Sequence, residues 1–449
     1  MSPSKPKSSQ PGKPFKTYKD TLEYLYARLP MFTRIGPAAL KADLTNTIEL
    51  CKRIGDPQNH FKSIHIAGTN GKGSTSHMLA AITQTAGYKT GLYTSPHLKD
   101  FRERIRLNGE MVSEDFVVEF VNRQRNNIEE IDPSFFEVTV ALAFDYFAQQ
   151  EVDIAVIEVG LGGRLDSTNI ISPLVSVITN IGYDHMNILG NTLTEIASEK
   201  AGIIKPGVPV VVGEQHAETT PVFVKKAGES QSPMVFACKE WNIAKSGFQQ
   251  SNEYLSILAE EAGTPLSGQK SLALELDLTG SYQLKNLATV LSSVSELRKA
   301  GFDITDDHLI EALKQVKNLT GLAGRWQIIS QKPLVICDTG HNEDGIREVL
   351  KNIQLQQYNN LHMVIGMVND KDIHKILQLL PKNAIYYFCS PDIPRGKLAT
   401  ELKDEASAFG LTGNSFKSVS LALQKAKESA SDDDLIFVGG STFVVAEVV

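Results

Sequence analysis

The 449 residues include 42% hydrophobic and 22% charged side chains with a formal net charge of -7, an ordinary globular balance without the overall basic character that nucleic-acid binding needs. No apolar run approaches the ~18 residues that cross a bilayer. Four scattered cysteines, Cys51, Cys238, Cys337 and Cys389, lack CxxC spacing, so neither a zinc site nor a disulfide framework is suggested, and a reducing cytoplasm fits.

At roughly 100–200 residues per domain the length implies two domains. The Ser-, Pro- and Lys-rich start is expected to be a flexible tail over residues 1–17. Leu22, Leu25 and Tyr26 then predict a helix over 18–28, ended by Pro30. A second helix is predicted over 39–51, with Leu40, Leu44 and Ile48 on one face. Next, the apolar run 63–67 breaks into Gly68-Thr69-Asn70-Gly71-Lys72-Gly73-Ser74-Thr75, followed by an amphipathic segment through Met78, Leu79 and Ile82. In such a strand, loop and helix, glycines let backbone N–H groups converge on an anion, the helix start adds partial positive charge and Lys72 adds a full one. The loop therefore asks for ATP or a relative. It departs from the strict Walker A pattern, because position 66 is Ile and Gly73 separates Gly71-Lys72 from Ser74.

A strand over 90–94 ends at Ser95-Pro96-His97-Leu98, a charged stretch covers 102–106, and helices are predicted over 114–126 and 136–149. The nearly continuous apolar run 154–160 predicts a strand buried on both faces of a parallel sheet. Strand 174–179, helix 193–201 and strand 208–212 continue a doubly wound rhythm. Residues 213–280 lose it, and their runs 234–237 and 272–278 read as a small antiparallel addition. Helices over 283–299 and 306–317 lead to a hinge at 320–324, after which strands near 334–337, 362–365, 384–388 and 435–438 restore the rhythm. The expected fold is α/β: a P-loop ATPase-like parallel-sheet domain with a small antiparallel addition over 18–320, then a smaller Rossmann-like α/β domain over 325–449.

Chemistry-bearing residues collect at predicted strand ends. Glu158 stands where a Walker-B acid would hold magnesium, against the plainer reading of a salt-bridged structural acid. Gly160-Leu161-Gly162-Gly163-Arg164-Leu165-Asp166-Ser167-Thr168-Asn169 suits a loop over a ligand. His185 reads as a metal ligand, a base or an ordinary hydrogen-bonded histidine, and Lys200 as a solvent-facing lysine near a helix end. Asp338-Thr339-Gly340-His341-Asn342 ends a strand of the second domain, and Arg325 lies on the hinge. Taken singly, Asp338 could be a helix cap and Arg325 a linker charge. Together, polar strand ends in each domain imply a site in the cleft between them.

Gly68 to Ser74, Ser95-Pro96-His97-Leu98, Glu158 to Asp166, Asp184-His185, Glu199-Lys200-Ala201-Gly202 and Asp338 to Asn342 occur in the order seen in folylpolyglutamate synthase and bifunctional dihydrofolate synthase. The resemblance spans roughly residues 18 to 449. It implies that Gly71, Lys72, Gly73 and Ser74 hold ATP phosphates, that Asn286, Arg325, Asp338 and His341 serve the nucleotide, and that Ser95, Glu158 and His185 contribute to Mg2+ sites. Lys200 matches a lysine carbamylated in the family, which would make it a metal ligand. Ser134, Phe135, Phe136 and Glu137, with Leu165, Asp166 and Ser167, match pterin-substrate segments. Lys72, His185, Lys200 and Arg325 are the implied catalytic set.

The implied partners are ATP, L-glutamate and dihydropteroate or a reduced folate, with no nucleic acid and no membrane, and a monomer is expected. A carboxylate is a poor acyl acceptor for an amine, so ATP would first convert it to an acyl phosphate, which the amine of glutamate attacks. Two rivals stand beside this. A Mur-type peptidoglycan ligase shares the chemistry, but those usually have Thr after the loop lysine and an added amino-terminal domain, whereas Gly73 follows Lys72 and about 60 residues precede the loop. A nucleotide-dependent switch without ligase activity is the other.

Overall fold

The structure, a computed structural model, describes residues 13–31, 36, 43–246, 253–262, 271–369 and 373–449. β1 (Lys62–Ala67), β2 (Thr90–Tyr93), β3 (Ile105–Leu107), β4 (Glu110–Met111), β5 (Ile154–Glu158), β6 (Val175–Ile178), β7 (Val210–Val212) and β8 (Met234–Phe236) form one sheet in the order β4-β3-β2-β5-β1-β6-β7-β8. From β2 to β8 neighbouring strands are parallel, while β3 and β4 turn back as an antiparallel edge. Every residue of β5 and β6 is buried, which explains their largely apolar sequence. β1 lies between β5 and β6, so the loops leaving all three open into one crevice at the carboxyl edge. The helix after the phosphate loop, Lys72–Thr85, is buried from Ser74 to Thr83, wedged between the sheet and helices Gln283–Lys299 and Asp306–Leu313.

β9 (Trp241–Lys245), β10 (Leu255–Glu261) and β11 (Ser271–Leu276) make a separate antiparallel sheet. Leu272, Leu274 and Leu276 alternate inward along β11 and join the core around helix Gln283–Lys299. The remaining strands, β12 (Gln327–Gln331), β13 (Leu334–Asp338), β14 (Leu361–Ile365), β15 (Ile385–Cys389), β16 (Gly413–Phe416) and β17 (Leu435–Gly439), order as β12-β13-β17-β14-β15-β16. All are parallel except β12. Asp338 thereby sits at a carboxyl edge of its own.

Several expectations are corrected. Residues 234–236 do not join the antiparallel addition: Met234 pairs in parallel with Val210, and the unpredicted helix Thr220–Glu229 supplies the crossover. Three half-buried residues carry too little periodicity to reveal this. The helix expected over 306–317 breaks into Asp306–Leu313 and Val316–Thr320, because Asp277 inserts between them, donating its N–H to Leu313 O at 3.1 Å and accepting from Lys317 N at 2.8 Å. Of the helix expected over 39–51, residues 39–42 lie outside the described residues. Its described part, Thr45–Arg53, turns Leu50 and Cys51 inward and leaves Ile48 50% exposed. The tail expected over 1–17 is described only from residue 13. There the chain is held: Phe15 N donates to Asn122 Oδ1 at 2.8 Å, and Asn122 Nδ2 donates back to Phe15 O at 2.9 Å.

Candidate active site

The loop after β1 is shaped by Gly71, whose φ of 83° lies in the left-handed region and which directly precedes helix Lys72–Thr85. A side chain there would also strike Asn286, since a Cβ would lie 2.2 Å from Asn286 Oδ1. Lys72 Nζ donates to Gly68 O at 3.1 Å and Thr69 O at 3.3 Å. Beside the loop, a Cβ on Gly73 would sit 3.6 Å from Arg325 Nη2 and 3.8 Å from Glu158 Oε2. A guanidinium from the segment just before β12 and a carboxylate from β5 therefore flank the same glycine, which brings the two parts of the chain together at the loop.

Glu158 is 4% exposed and accepts from Ser95 N at 3.2 Å. Burial pushes its carboxyl up, and Lys72, the Ser95 N–H, Arg325 and Arg104 oppose that rise. Lys200 is not solvent-facing. It is 4% exposed at the end of helix Leu193–Ala201, and its Nζ donates to Gly68 O at 2.9 Å, the carbonyl that Lys72 also binds. Burial first, then the nearby Lys72, lowers its ammonium to about 7.

From the second sheet, Asp338 accepts from Tyr282 Oη at 2.5 Å, Trp326 N at 2.8 Å and Gly340 N at 2.7 Å. Arg325 donates to the Thr339 hydroxyl. His341 has Nδ1 2.9 Å from Thr339 O and Nε2 3.2 Å from Asp184 Oδ2. Asn342 Nδ2 donates to Asn70 Oδ1 at 3.0 Å while Asn70 Nδ2 donates to Asn342 Oδ1 at 3.3 Å, an amide pair joining the phosphate loop to the opposite edge. Asn70 and Asn342 had no assigned role in the sequence, because nothing in either motif reveals a partner 272 positions away.

A cavity of about 570 Å³ adjoins these groups and is walled from both sides, by Ser95, Phe136 and His185 on one and by His341, Arg395 and Phe443 on the other. The predicted pterin segments line it: Ser134 to Glu137 and Leu165 to Ser167. Ser134 and Glu137 are committed to each other as a helix cap, Glu137 Oε2 accepting from Ser134 N at 2.6 Å. Asp166 is held by Leu161 N at 2.8 Å and by Thr168, whose hydroxyl in turn lies 2.8 Å from Nε2 of the buried His65. His65, inside β1, gave no sign of this in the sequence. The buried Arg104, read only as part of a charged stretch, also lines the cavity, with Nε donating to His97 Nδ1 at 2.8 Å.

The donor set fits a nucleotide with magnesium. Among the described residues no three His, Cys, Asp or Glu side chains converge as a self-sufficient metal cage. Magnesium characteristically uses one or two carboxylates and completes its shell with phosphate oxygens and water, which matches a single buried carboxylate beside a phosphate loop.

A glycine-rich phosphate loop at one sheet edge, met by Arg325 and Asn342 from the second part of the chain, has the form of an ATP-dependent ligase site. Residues 66–294 match the family described as Mur ligase middle domain, and residues 324–442 match Mur ligase, glutamate ligase domain. The chain belongs to the dihydrofolate synthase/folylpolyglutamate synthase family. It is 32% identical to the dihydrofolate synthase/folylpolyglutamate synthase of Bacillus subtilis over 97% of this chain and 99% of that one. The Escherichia coli protein of the same name is 32% identical over 85% of each. Among solved structures, E. coli FolC in complex with DHPP and ADP superposes with a TM-score of 0.82 at 30% identity, covering 98% of both chains. A bifunctional folylpolyglutamate synthase/dihydrofolate synthase with Mn, AMPPNP and L-glutamate bound gives 0.82 at 28%, again over 98% of both.

Proposed function

We propose that this chain joins L-glutamate to the carboxyl of dihydropteroate, a reduced folate or both, through an acyl phosphate formed from ATP. The observation carrying this is Gly73, flanked by Arg325 and Glu158 at 3.6 and 3.8 Å from where its Cβ would lie. Gly71, Lys72, Gly73 and Ser74 take the phosphates, with Asn286, Asp338 and His341 on the rest of the nucleotide. Lys72 and Arg325 offset charge on the transferring phosphoryl group. Glu158, Ser95, His185 and Lys200 would hold magnesium, which neutralises phosphate charge when bound. The acid would lie in the cavity that Phe136 and Asp166 line. No protein nucleophile is needed. The functional division is taken at 18–320 and 325–449, and the protein is taken to act as a monomer in the cytoplasm. No helix among the described residues is long and apolar enough to cross a membrane.

Phosphate release is expected only when acid and L-glutamate are both present, with either alone leaving it at background. Equal release without them would favour the switch reading, and stimulation by a nucleotide-sugar acid instead would favour a peptidoglycan ligase. Comparing dihydropteroate with a reduced folate in the same assay decides which acid is taken.

Lys200 is proposed to carry a carbamate. The reaction joins CO2 to a neutral amine and releases a proton, and an ammonium lowered to about 7 keeps neutral amine available at physiological pH. The carbamate nitrogen keeps one hydrogen, so its bond to Gly68 O survives. Protein equilibrated with 13C-bicarbonate should show a carbamate carbon resonance, weakening as pH falls below about 7 and absent in Lys200→Met along with most turnover. Full turnover in a protein lacking that resonance would dismiss the modification.

A further inference from the structure

Gln283 opens helix Gln283–Lys299 and is 0% exposed. Its Oε1 accepts from Asn286 Nδ2 at 2.7 Å, and its Nε2 donates to Ser74 Oγ at 3.1 Å. With Asn286 Nδ2 turned toward it, reversing the Gln283 amide alone would set its NH2 against that of Asn286. Asn286 Oδ1 is thereby aimed at Gly71. Ser74 Oγ accepts a hydrogen bond from Gln283 and so keeps its own O–H and remaining lone pair for a phosphate or metal on the loop side.

The preceding residues reach the other way. Tyr282 donates to Asp338 Oδ2 at 2.5 Å, its ring packs against the core of the second sheet, and Ser281 N donates to Asn352 Oδ1 at 2.8 Å. Adjacent side chains at one helix start thus grip the phosphate loop on one side and the second sheet's carboxyl edge on the other.

We propose that Tyr282 and Gln283 are positioning residues forming one joint, which sets both halves of the nucleotide site at a common spacing: Gln283 orients Ser74 and Asn286, and Tyr282 orients Asp338. This rests on assigning those three residues to the nucleotide. Neither joint residue touches a reacting atom.

The test uses the full chain with Gln283→Leu, Gln283→Glu and Tyr282→Phe, measuring kcat, the KM of each substrate, and the Mg2+ concentration for half-maximal rate. Gln283→Leu is expected to raise the KM for ATP and the Mg2+ requirement about tenfold while leaving the KM of the acid within about twofold, the signature of lost nucleotide positioning. Gln283→Glu still accepts from Asn286 but draws the Ser74 proton to itself, so it should raise the Mg2+ requirement more than the KM for ATP. Tyr282→Phe keeps the ring packing and should raise the KM for ATP about tenfold with unchanged Mg2+ dependence. If Gln283→Leu does not fold, Gln283→Glu and Tyr282→Phe together decide the matter. Equal losses for all substrates, a change in kcat alone, or an effect at only one of the two positions would overturn the joint. Ser74→Ala, Asn286→Ala and Asp338→Asn serve as reference: if these leave the KM for ATP unchanged, the nucleotide assignment itself has failed, whereas if they raise it and the joint variants do not, only the joint has.

Discussion

Lys72→Ala is expected to lower ATP-dependent ligation by about three orders of magnitude while the protein folds normally. The lysine is the only full charge within the sequence from Gly68 to Thr75, at the start of a helix whose first N–H groups already face the loop. Charge that moves from the γ-phosphate toward the leaving oxygen is stabilised by groups already aimed at it, and losing one such donor costs about 10²–10³ in rate. Loss of a full charge in phosphoryl transfer belongs at the top of that range. The stability cost should be small. Lys72 Nζ binds two loop carbonyls, Gly68 O and Thr69 O, in a half-buried position where water can replace it, a change of about 1 kcal/mol. A further consequence follows at Lys200, whose ammonium Lys72 helps to depress. In Lys72→Ala that amine should hold its proton to higher pH and load less carbamate. Steady-state phosphate release and thermal unfolding check both parts. Turnover retained within a few fold would mean that the phosphates sit elsewhere.

What the sequence revealed depended on how local each signal was. β1, its glycine loop and the helix after it were legible because burial, turn and phosphate binding all act within one short continuous stretch, from Lys62 to Thr85. β5 announced itself by apolar continuity, and Glu158 by interrupting that continuity at its end. The burial of Lys200, which rules out the plainer solvent-facing reading, was not legible because it comes from packing against the loop that carries Gly68, 132 positions earlier, and not from the helix it ends. Gln283 and Tyr282 were invisible for the same reason: their partners Ser74 and Asp338 lie 209 and 56 positions away. The His65 and Thr168 support of Asp166 spans 103 positions inside an apolar strand. β8 and β16 failed differently. They are three and four residues long and largely half-buried, so no period of two can be read from them.

Glu158→Gln separates a metal-holding acid from a structural one. Glutamine fills the same volume and keeps an oxygen for the Ser95 N–H, so only the charge is removed. If the carboxylate holds magnesium, the Mg2+ concentration for half-maximal rate should rise more than tenfold and turnover should fall by about 10²–10³, because a hard divalent ion loses its one anionic protein oxygen from an unmodified side chain. The melting temperature without ligands should move by no more than a few degrees. Burial already opposes the charge on Glu158, and its hydrogen bond comes from a backbone N–H, with Lys72 and Arg325 acting from further away. Relief of the buried charge then roughly offsets the lost attraction. A structural ion-pair partner behaves otherwise: removing it strands buried cations and costs about 3–5 kcal/mol, a large drop in melting temperature. The two readings also part when MgATP is added. Wild-type protein should gain stability from the bound ligand and Glu158→Gln should gain little. A variant that melts far below wild type yet is stabilised by MgATP to the same extent would make Glu158 a strut of the sheet and leave the metal to be held by other groups.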